Sequence, residues 1–541
     1  MVNTIATLLS FLISLILPQA PPQSAATRAH TGMLFQTSDQ CLACHNNIVT
    51  SSAEDVSIGA DWQSSMMAHS SRDPYWQAGV RREIMDHSSA KEKIEDECSI
   101  CHMPMARTQA VAEGRAGSVF AHLPAGRGKR PQDQLAADGV SCTMCHQITS
   151  EKFGTPESFT GGFVVDTRKP AEEREIFGRF EIDNGRTMIM RSATGFKPSQ
   201  GKHVEQSELC ATCHTLITEA LGPGGEVVGR LPEQVMYLEW RHSDYRETQS
   251  CQACHMPVVR EETPISSVLG ELRQGFARHT FQGGNFFMLR MLSRYRTDPG
   301  VVASARELDT SANRTVRFLQ SETAAISIDD PAMLGGRFEF NIDVRNLSGH
   351  KLPTAYPSRR VWLHVTVRDQ SNRVVFESGG LAPTGLIEGN DNDADPARYE
   401  SHYREIRQSD QVQIYESIMA DTNGAVTTGL LTGAKYVKDN RLIPRGFDKS
   451  TAEPDIAVVG DAAGDGDFVG GADRIRYSID IAGAMGPLQI AVELRFQPIG
   501  FRWAENLRRY ESPETRRFLS YYDSMSAASS EVLGHASRTV R

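Results

Sequence analysis

The sequence predicts an α+β protein whose N-terminal region consists of short helices and loops and is followed by an antiparallel β-sandwich-like domain and a C-terminal helix. Cysteines recur in closely spaced pairs through the first half, where continuous apolar segments are few. In several later segments apolar residues alternate with polar ones, which is typical of strands. Near the end, Ser512 and Pro513 form a helix start. The chain has 541 residues, which is too long for one ordinary domain.

The first residues predict an export signal. An apolar run from Leu8 to Leu17 ends at Pro18 and is followed by small and polar residues. The run is shorter than the roughly 20 residues that a transmembrane helix needs. We therefore expect a signal peptide over residues 1–26 and a periplasmic or extracellular location. Because Met1–Thr4 contains no Lys or Arg, membrane anchoring by an uncleaved signal is the alternative.

All ten cysteines lie in five Cys-x-x-Cys-His motifs. The motifs are Cys41 and Cys44 with His45, Cys98 and Cys101 with His102, Cys142 and Cys145 with His146, Cys210 and Cys213 with His214, and Cys251 and Cys254 with His255. This spacing places two thiols on one side of a helical turn, where they form thioethers with the vinyl groups of a haem. The next residue, His, is then the proximal ligand of the iron.

A disulfide framework or a zinc site explains these motifs less well, because neither requires a His after every second Cys. The sequence thus predicts five covalently bound haem c groups in a cytochrome domain over residues 27–290. That region has too little continuous apolar sequence for an ordinary core, so we expect its helices and loops to wrap around a chain of haems.

The second, distal ligands of the five irons are predicted from the histidines outside the motifs. The preferred set is His87, His122, His203, His242 and His279, with His30, His69 and His350 in reserve. Several of them stand a few helical turns or less before a motif, a placement that suits ligation of a neighbouring haem. His350 lies between two predicted strands, where it is either a ligand reaching across the domain boundary or a loop residue. Methionine is the competing ligand type.

The second half is predicted to be mostly β-structure. A helical connector is expected over residues 291–325, a β-rich domain over 326–505 and a helical tail over 506–541. Alternating apolar residues predict strands at 338–344, 361–367, 475–481 and 488–496, with a turn at 369–372 and a return strand at 374–376. Strands with turns and no helices between them favour a sandwich.

The formal net charge of −10 argues against nucleic acid as a partner, since a phosphate backbone requires a basic face. We expect a redox protein donor and acceptor instead. A further expectation is a membrane-associated or oligomeric electron-transfer assembly formed through the β-rich domain.

The five motifs, the Cys-His-Met-Pro segments at 101–104 and 254–257 and the Gly-His-Lys-Leu-Pro-Thr segment at 349–354 resemble exported multihaem cytochromes of the cytochrome c552/c554-like group. The motif resemblance covers about the first half of the chain. It implies low-spin haems, mostly with two His ligands, packed closely enough for electron tunnelling. It also implies a place in a periplasmic or extracellular respiratory chain.

Two functions follow, and the first is favoured. The protein is either an electron carrier whose irons are all six-coordinate, or a multihaem reductase with one open iron site for nitrite, hydroxylamine or a sulfur oxyanion. The number of haems matches pentahaem nitrite reductases. Those enzymes usually attach the catalytic haem through a motif that ends in Lys, however, and all five motifs here end in His.

Overall fold

The computed structural model of the protein describes residues 32–329 and 331–540. The predicted signal peptide and His30 lie outside the described residues. Within the described ranges, no helix combines the length and the apolar character needed to cross a membrane.

Short helices and two-stranded sheets make up the N-terminal region. The helices are α1 (Asp39–Leu42), α2 (Ile58–Gln63), α3 (Pro74–Asp86), α4 (Lys91–His102), α5 (Pro104–Ala112), α6 (Pro131–Ala137), α7 (Cys142–Cys145), α8 (Asn184–Thr194), α9 (Ser207–His214), α10 (Met236–Arg241), α11 (Cys251–His255), α12 (Phe286–Arg294) and α13 (Ala305–Glu322). The strands are β1 (Glu175–Gly178), β2 (Lys197–Gln200), β3 (Leu216–Leu221), β4 (Val227–Gln234), β5 (Thr263–Pro264) and β6 (Leu272–Arg273). β1 pairs with β2 in parallel, whereas β3–β4 and β5–β6 are antiparallel.

The five motifs lie on or directly after short helices, namely α1, α4, α7, α9 and α11. Local sequence sets their ends. The Ser250 side chain caps α11 by accepting a hydrogen bond from the Ala253 N–H. Helix α4 ends at His102 and Pro104 begins α5, because proline fits the first turn of a helix but not its interior. The motif helices are therefore kept to a few turns or fewer.

The second half consists mainly of strands. These are β7 (Ala324–Ile328), β8 (Ala332–Leu334), β9 (Arg337–Asn346), β10 (Arg360–Arg368), β11 (Val374–Ser378), β12 (Glu405–Ile406), β13 (Ile414–Tyr415), β14 (Ser417–Ala420), β15 (Val426–Thr427), β16 (Lys435–Asp439), β17 (Ala472–Ile479), β18 (Leu488–Gln497) and β19 (Glu531–Val540). The helices here are α14 (Asp391–Ala394), α15 (Phe501–Glu505) and α16 (Pro513–Asp523).

Two sheets of five strands pack face to face. One has the order β11-β10-β18-β19 with β13 also on β10, and the other has the order β12-β17-β9-β7 with β8 also on β9. Phe340 and Tyr477 of the second sheet and Val365 and Val492 of the first are buried in one shared core. Phe376 of β11 lies 6.2 Å from Tyr477, ring centroid to ring centroid, across the two sheets. The predicted α+β architecture is thus confirmed.

The end of the chain differs in part from the predicted helical tail. Helix α16 begins at Pro513, and the Ser512 side chain accepts a hydrogen bond from the Thr515 N–H. The chain then returns as strand β19, which pairs with β18 along its length. Most β19 side chains are at least partly exposed, so its sequence lacks a clear apolar alternation.

The two halves share a continuous hydrophobic core. Phe286 of α12 packs 6.2 Å from Phe496 of β18, measured between ring centroids. Tyr75 of α3 packs 4.9 Å from Phe518 of α16. Close by, the Arg81 Nε lies 2.9 Å from a Glu514 carboxylate oxygen. The β-rich part therefore closes one side of the helical region.

Candidate functional site

All five motifs face one cavity of about 2070 Å³. Its lining includes His45, His102, His146, His214 and His255, and every motif cysteine except Cys44. Pockets for single small molecules measure about 300–1,000 Å³. The fold therefore gathers ligand groups from widely separated parts of the sequence around a space large enough for several prosthetic groups.

Hydrogen bonds fix the orientation of most motif histidines. The Nδ1 atom donates to a backbone carbonyl oxygen in four of them, at 2.6 Å from His45 to Ile265, 3.0 Å from His102 to Ser70, 2.6 Å from His146 to Phe177 and 2.6 Å from His255 to Gln282. A carbonyl oxygen only accepts, so Nδ1 carries the proton and the Nε2 lone pair is left for a metal. This is the usual arrangement of histidine ligands in proteins.

Burial keeps the same imidazoles neutral. It lowers the pKa of His102 and His255 to about 4 and that of His279 to about 3, because the charged form loses its hydration. The pKa values of the other motif histidines are lowered for the same reason. Only a neutral imidazole binds a metal, so these side chains are ready ligands at neutral pH.

Two histidines outside the motifs face motif histidines across the cavity. The ring centroids of His146 and His279 are 6.3 Å apart with ring planes at 21°, and those of His255 and His350 are 6.2 Å apart with planes at 9°. One metal ion bound by both imidazoles separates the centroids by about 6 Å, because each metal–nitrogen bond is about 2 Å long. In both pairs the two imidazoles therefore have the spacing needed to bind one metal ion between them.

The other predicted distal ligands lie elsewhere. Within the described residues, the cavity lining does not include His69, His87, His122, His203 or His242. His69 is buried, and the His242 ring centroid lies 5.5 Å from that of Phe447. The other three have polar neighbours: the Nε2 of His87 is 3.3 Å from Thr432 Oγ1, the Nδ1 of His122 is 2.9 Å from Asp133 Oδ1, and the Nε2 of His203 is 2.9 Å from the Ile148 carbonyl oxygen. Their role as ligands stays a prediction.

A partly buried cation, Arg359, also lines the cavity. The Arg359 guanidinium donates to the Thr354 carbonyl oxygen at 3.2 Å and to Asn285 Oδ1 at 2.8 Å. Among the described residues it forms no ion pair with a carboxylate. Burial lowers its pKa to about 10, so the group remains charged at neutral pH. A charge withdrawn from water needs a counter-ion, and the propionate of a bound haem would supply one. Arg359 lies outside the haem motifs, and no pattern in the sequence singled it out.

Acidic and phenolic side chains line the cavity near the second motif. Burial raises the pKa of Glu233 to about 7 and also raises the pKa values of Glu83 and Tyr356. The Trp76 ring lies 4.3 Å from the His102 ring and nearly parallel to it. Proton-carrying groups and an aromatic neighbour thus surround this motif. His102 has no imidazole partner like those of the third and fifth motifs among the ring contacts of the described residues.

The residues fit haem c as a group. Paired thiols, neutral imidazoles with free Nε2 atoms and an unpaired cation meet in one cavity, which is the donor set that thioether attachment, iron ligation and propionate binding require. Bound haem would fill that space.

No protein-family model matches the chain, and no curated protein matches it significantly. Among solved structures, it is similar to a penta-heme cytochrome c552 from Thermochromatium tepidum, with 16% sequence identity and a TM-score of 0.54. The likeness covers 94% of this chain and 100% of that one, so it includes the β-rich half. It shows that the chain shares the fold of that penta-heme cytochrome.

Proposed function

We propose that the protein is a pentahaem c-type cytochrome that transfers electrons. The observation that carries this proposal is that all five motif histidines line one cavity. Burial keeps these histidines neutral, and in the four whose Nδ1 donates a hydrogen bond the Nε2 atom is left free. The shared fold with a penta-heme cytochrome supports it.

Each group of residues has a defined task. The ten cysteines hold the haems as thioethers, and His45, His102, His146, His214 and His255 are the proximal ligands. His279 is the second ligand opposite His146. Arg359 binds a propionate. When bound, haem supplies a one-electron Fe(III)/Fe(II) couple.

The geometry favours a carrier over an enzyme. An iron held by two imidazoles would have no position for a substrate, and His146 and His279 have the spacing to hold one in that way. Every motif also ends in His rather than Lys. The surrounding protein then only keeps the haems close together and out of water.

The setting of this carrier is part of the proposal. The apolar run before Pro18 supports export to the periplasm or the cell exterior. A redox protein donates the electrons and another accepts them. Membership of the c552/c554-like group, the domain boundaries and an assembly through the β-rich domain are proposed on the sequence patterns alone.

A multihaem reductase is the second candidate, and one observation favours it. Glu233 and Tyr356 line the cavity near the second motif, where His102 stands beside Trp76. A carboxyl group with a pKa of about 7 is suited to donate a proton to a reduced oxyanion. An open iron at this motif would therefore have acid groups beside it.

Paramagnetic resonance of the oxidised holoprotein separates the two functions. The carrier is expected to show only low-spin iron, and nitrite should leave the spectrum unchanged. A high-spin signal that shifts on addition of nitrite would contradict the carrier. Glu233→Gln should then reduce nitrite turnover, whereas replacement of the exposed Glu226 by Gln should not.

A further inference from the structure

We propose that the β-rich domain completes the fifth haem site, with His350 as the second axial ligand of the iron held by His255 and Glu239 as its positioning residue. This inference rests on the proposed haem attachment and adds to it a ligand from another part of the fold. It gives the β-rich domain a direct role in electron transfer.

The ring geometry carries the first step. His350 faces His255 with centroids 6.2 Å apart and ring planes at 9°. The His146–His279 pair, which lies wholly within the helical region, has nearly the same spacing, 6.3 Å. Two independent pairs in one cavity thus share the dimension that an iron bound by two imidazoles sets.

The hydrogen bonds of His350 leave the correct atom free. Its Nδ1 donates to the Lys351 carbonyl oxygen at 2.9 Å. Nε2 makes no hydrogen bond within residues 32–329 and 331–540, and the side chain lines the cavity. Iron ligation requires such an Nε2 atom with its lone pair free.

The loop that carries His350 is held rigidly. The Asn346 side-chain amide donates to the His350 carbonyl oxygen at 2.8 Å, and the Ser348 hydroxyl donates to the same oxygen at 3.0 Å. At Gly349 a Cβ would lie 3.3 Å from Tyr245 and 3.4 Å from Trp240. Glycine therefore lets this loop between β9 and β10 approach the helical region closely.

A buried ionic network ties this loop to α10. Glu239 of α10 accepts from the Lys351 N–H at 3.1 Å and from the Thr354 hydroxyl at 2.6 Å. Its other oxygen lies 2.9 Å from Arg441. Asp439 pairs with both the Lys351 Nζ at 2.8 Å and Arg441 at 2.7 Å.

The network is balanced and therefore sensitive to the loss of one member. Two acids and two bases are buried together, so each charge has a partner. Removing one leaves another buried charge without a counter-ion, which is costly. Glu239 is the only one of the four that belongs to the helical region, so it connects the His350 loop to the haem-bearing part.

His350→Gly in the full-length holoprotein tests the ligand. We expect all haems to remain attached by mass, one haem to become high-spin, and added imidazole to restore its low-spin signal. His350→Met should keep that iron low-spin and raise its midpoint potential, because methionine favours the reduced state. The exposed His535 on β19 provides the control, and His535→Ala should change nothing.

An unchanged spin state in His350→Gly, with every haem still attached, would overturn the proposal and leave the pentahaem carrier standing. Fewer than five haems in the unmodified protein would instead refute the proposed function. If His350→Gly does not fold, His350→Met decides, because an unshifted set of potentials excludes ligation at this position.

Glu239→Gln tests the positioning role. We expect a mixed-spin signal from one haem, with the other four spectra unchanged. Glu514→Gln is the matched control, because Glu514 also pairs across the two halves, with Arg81, but within the described residues makes no hydrogen bond to the His350 loop. If both variants leave the spectra unchanged, Glu239 does not position the ligand.

Discussion

Burial lowers the pKa of both the motif histidines and Arg359, but it leaves them with different charges at neutral pH. Burial lowers the pKa of each imidazole far enough to keep it neutral, which metal binding requires. The guanidinium starts from a much higher pKa and stays charged. The same cavity thus contains neutral imidazoles that can bind iron and a charged guanidinium that can pair with a carboxylate.

Arg359→Gln should lower the midpoint potential of one or two haems. Removing a positive charge destabilises the reduced iron, and at the partly screened distances of a protein interior the shift amounts to tens of millivolts. Spectroelectrochemical titration would measure it. The exposed Arg345 offers a control, and Arg345→Gln should leave all potentials in place.

Asp473 predicts a pH dependence of stability in the β-rich domain. Burial raises its pKa to about 7, although the Tyr415 hydroxyl donates to it at 2.8 Å. Through this group the folded state binds more protons than the unfolded state between about pH 4 and pH 7, so the contribution of Asp473 to stability falls as the pH rises through this window. Nearby His402, with a pKa lowered to about 4, contributes in the opposite direction.

Asp473→Asn should reduce this loss. Thermal unfolding of the holoprotein is measured at both ends of the window. The change in melting temperature from the low-pH end to the high-pH end is expected to be more positive in the variant than in the unmodified protein. Equal changes in both proteins would mean that Asp473 is not the titrating group.

Among the elements, the long central strands of the sandwich were predictable and the C-terminal strand β19 was not. β9, β17 and β18 bury mainly one face, and apolar and polar residues alternate in their sequences. β10 is buried on nearly its whole length, and every second residue from Val361 to Val367 is apolar. β19 lies at an edge with most side chains at least partly exposed, and pairing with β18 rather than an apolar pattern holds it. Pairing with a strand that is distant in sequence leaves no pattern in the residues of β19 from which the strand could be predicted.

The distal ligands show the same limit. Sequence proximity to the next motif favoured residues such as His203, whose Nε2 is bonded to a backbone carbonyl. The rings that face motif histidines are those of His279, from the preferred set, and His350, from the reserve, and tertiary packing brings both to the cavity. The ligand role of the other candidates stays a prediction. The proximal set needed only the motif, because the Cys and His are neighbours in sequence.

Ser512→Ala should weaken helix α16. The Ser512 side chain accepts the Thr515 N–H, and loss of such a cap costs about 1 kcal/mol. Because α16 packs on α3 through Phe518 and Tyr75, the melting temperature of the whole chain should fall. Ser512→Gly is expected to lose only a few tenths of a kcal/mol. A larger loss of unfolding free energy in Ser512→Gly than in Ser512→Ala would argue against the capping role of Ser512.

For the whole molecule, the large cavity is the central feature. The helical region places its motifs around this space, and the β-rich half closes one side and shares its core with α12. Without bound haem, the inward-facing apolar and ligand groups have nothing to pack against. Bound haem would therefore be a structural component of the first half as well as its redox group.

The intact mass of the purified protein, produced in a host that attaches c-type haem, tests this central claim most directly. Five haem additions to the mature chain are expected, one for each Cys-x-x-Cys-His motif. A denatured sample should retain all five, because thioether bonds survive unfolding. Four additions or fewer, or haem lost on denaturation, would contradict the account.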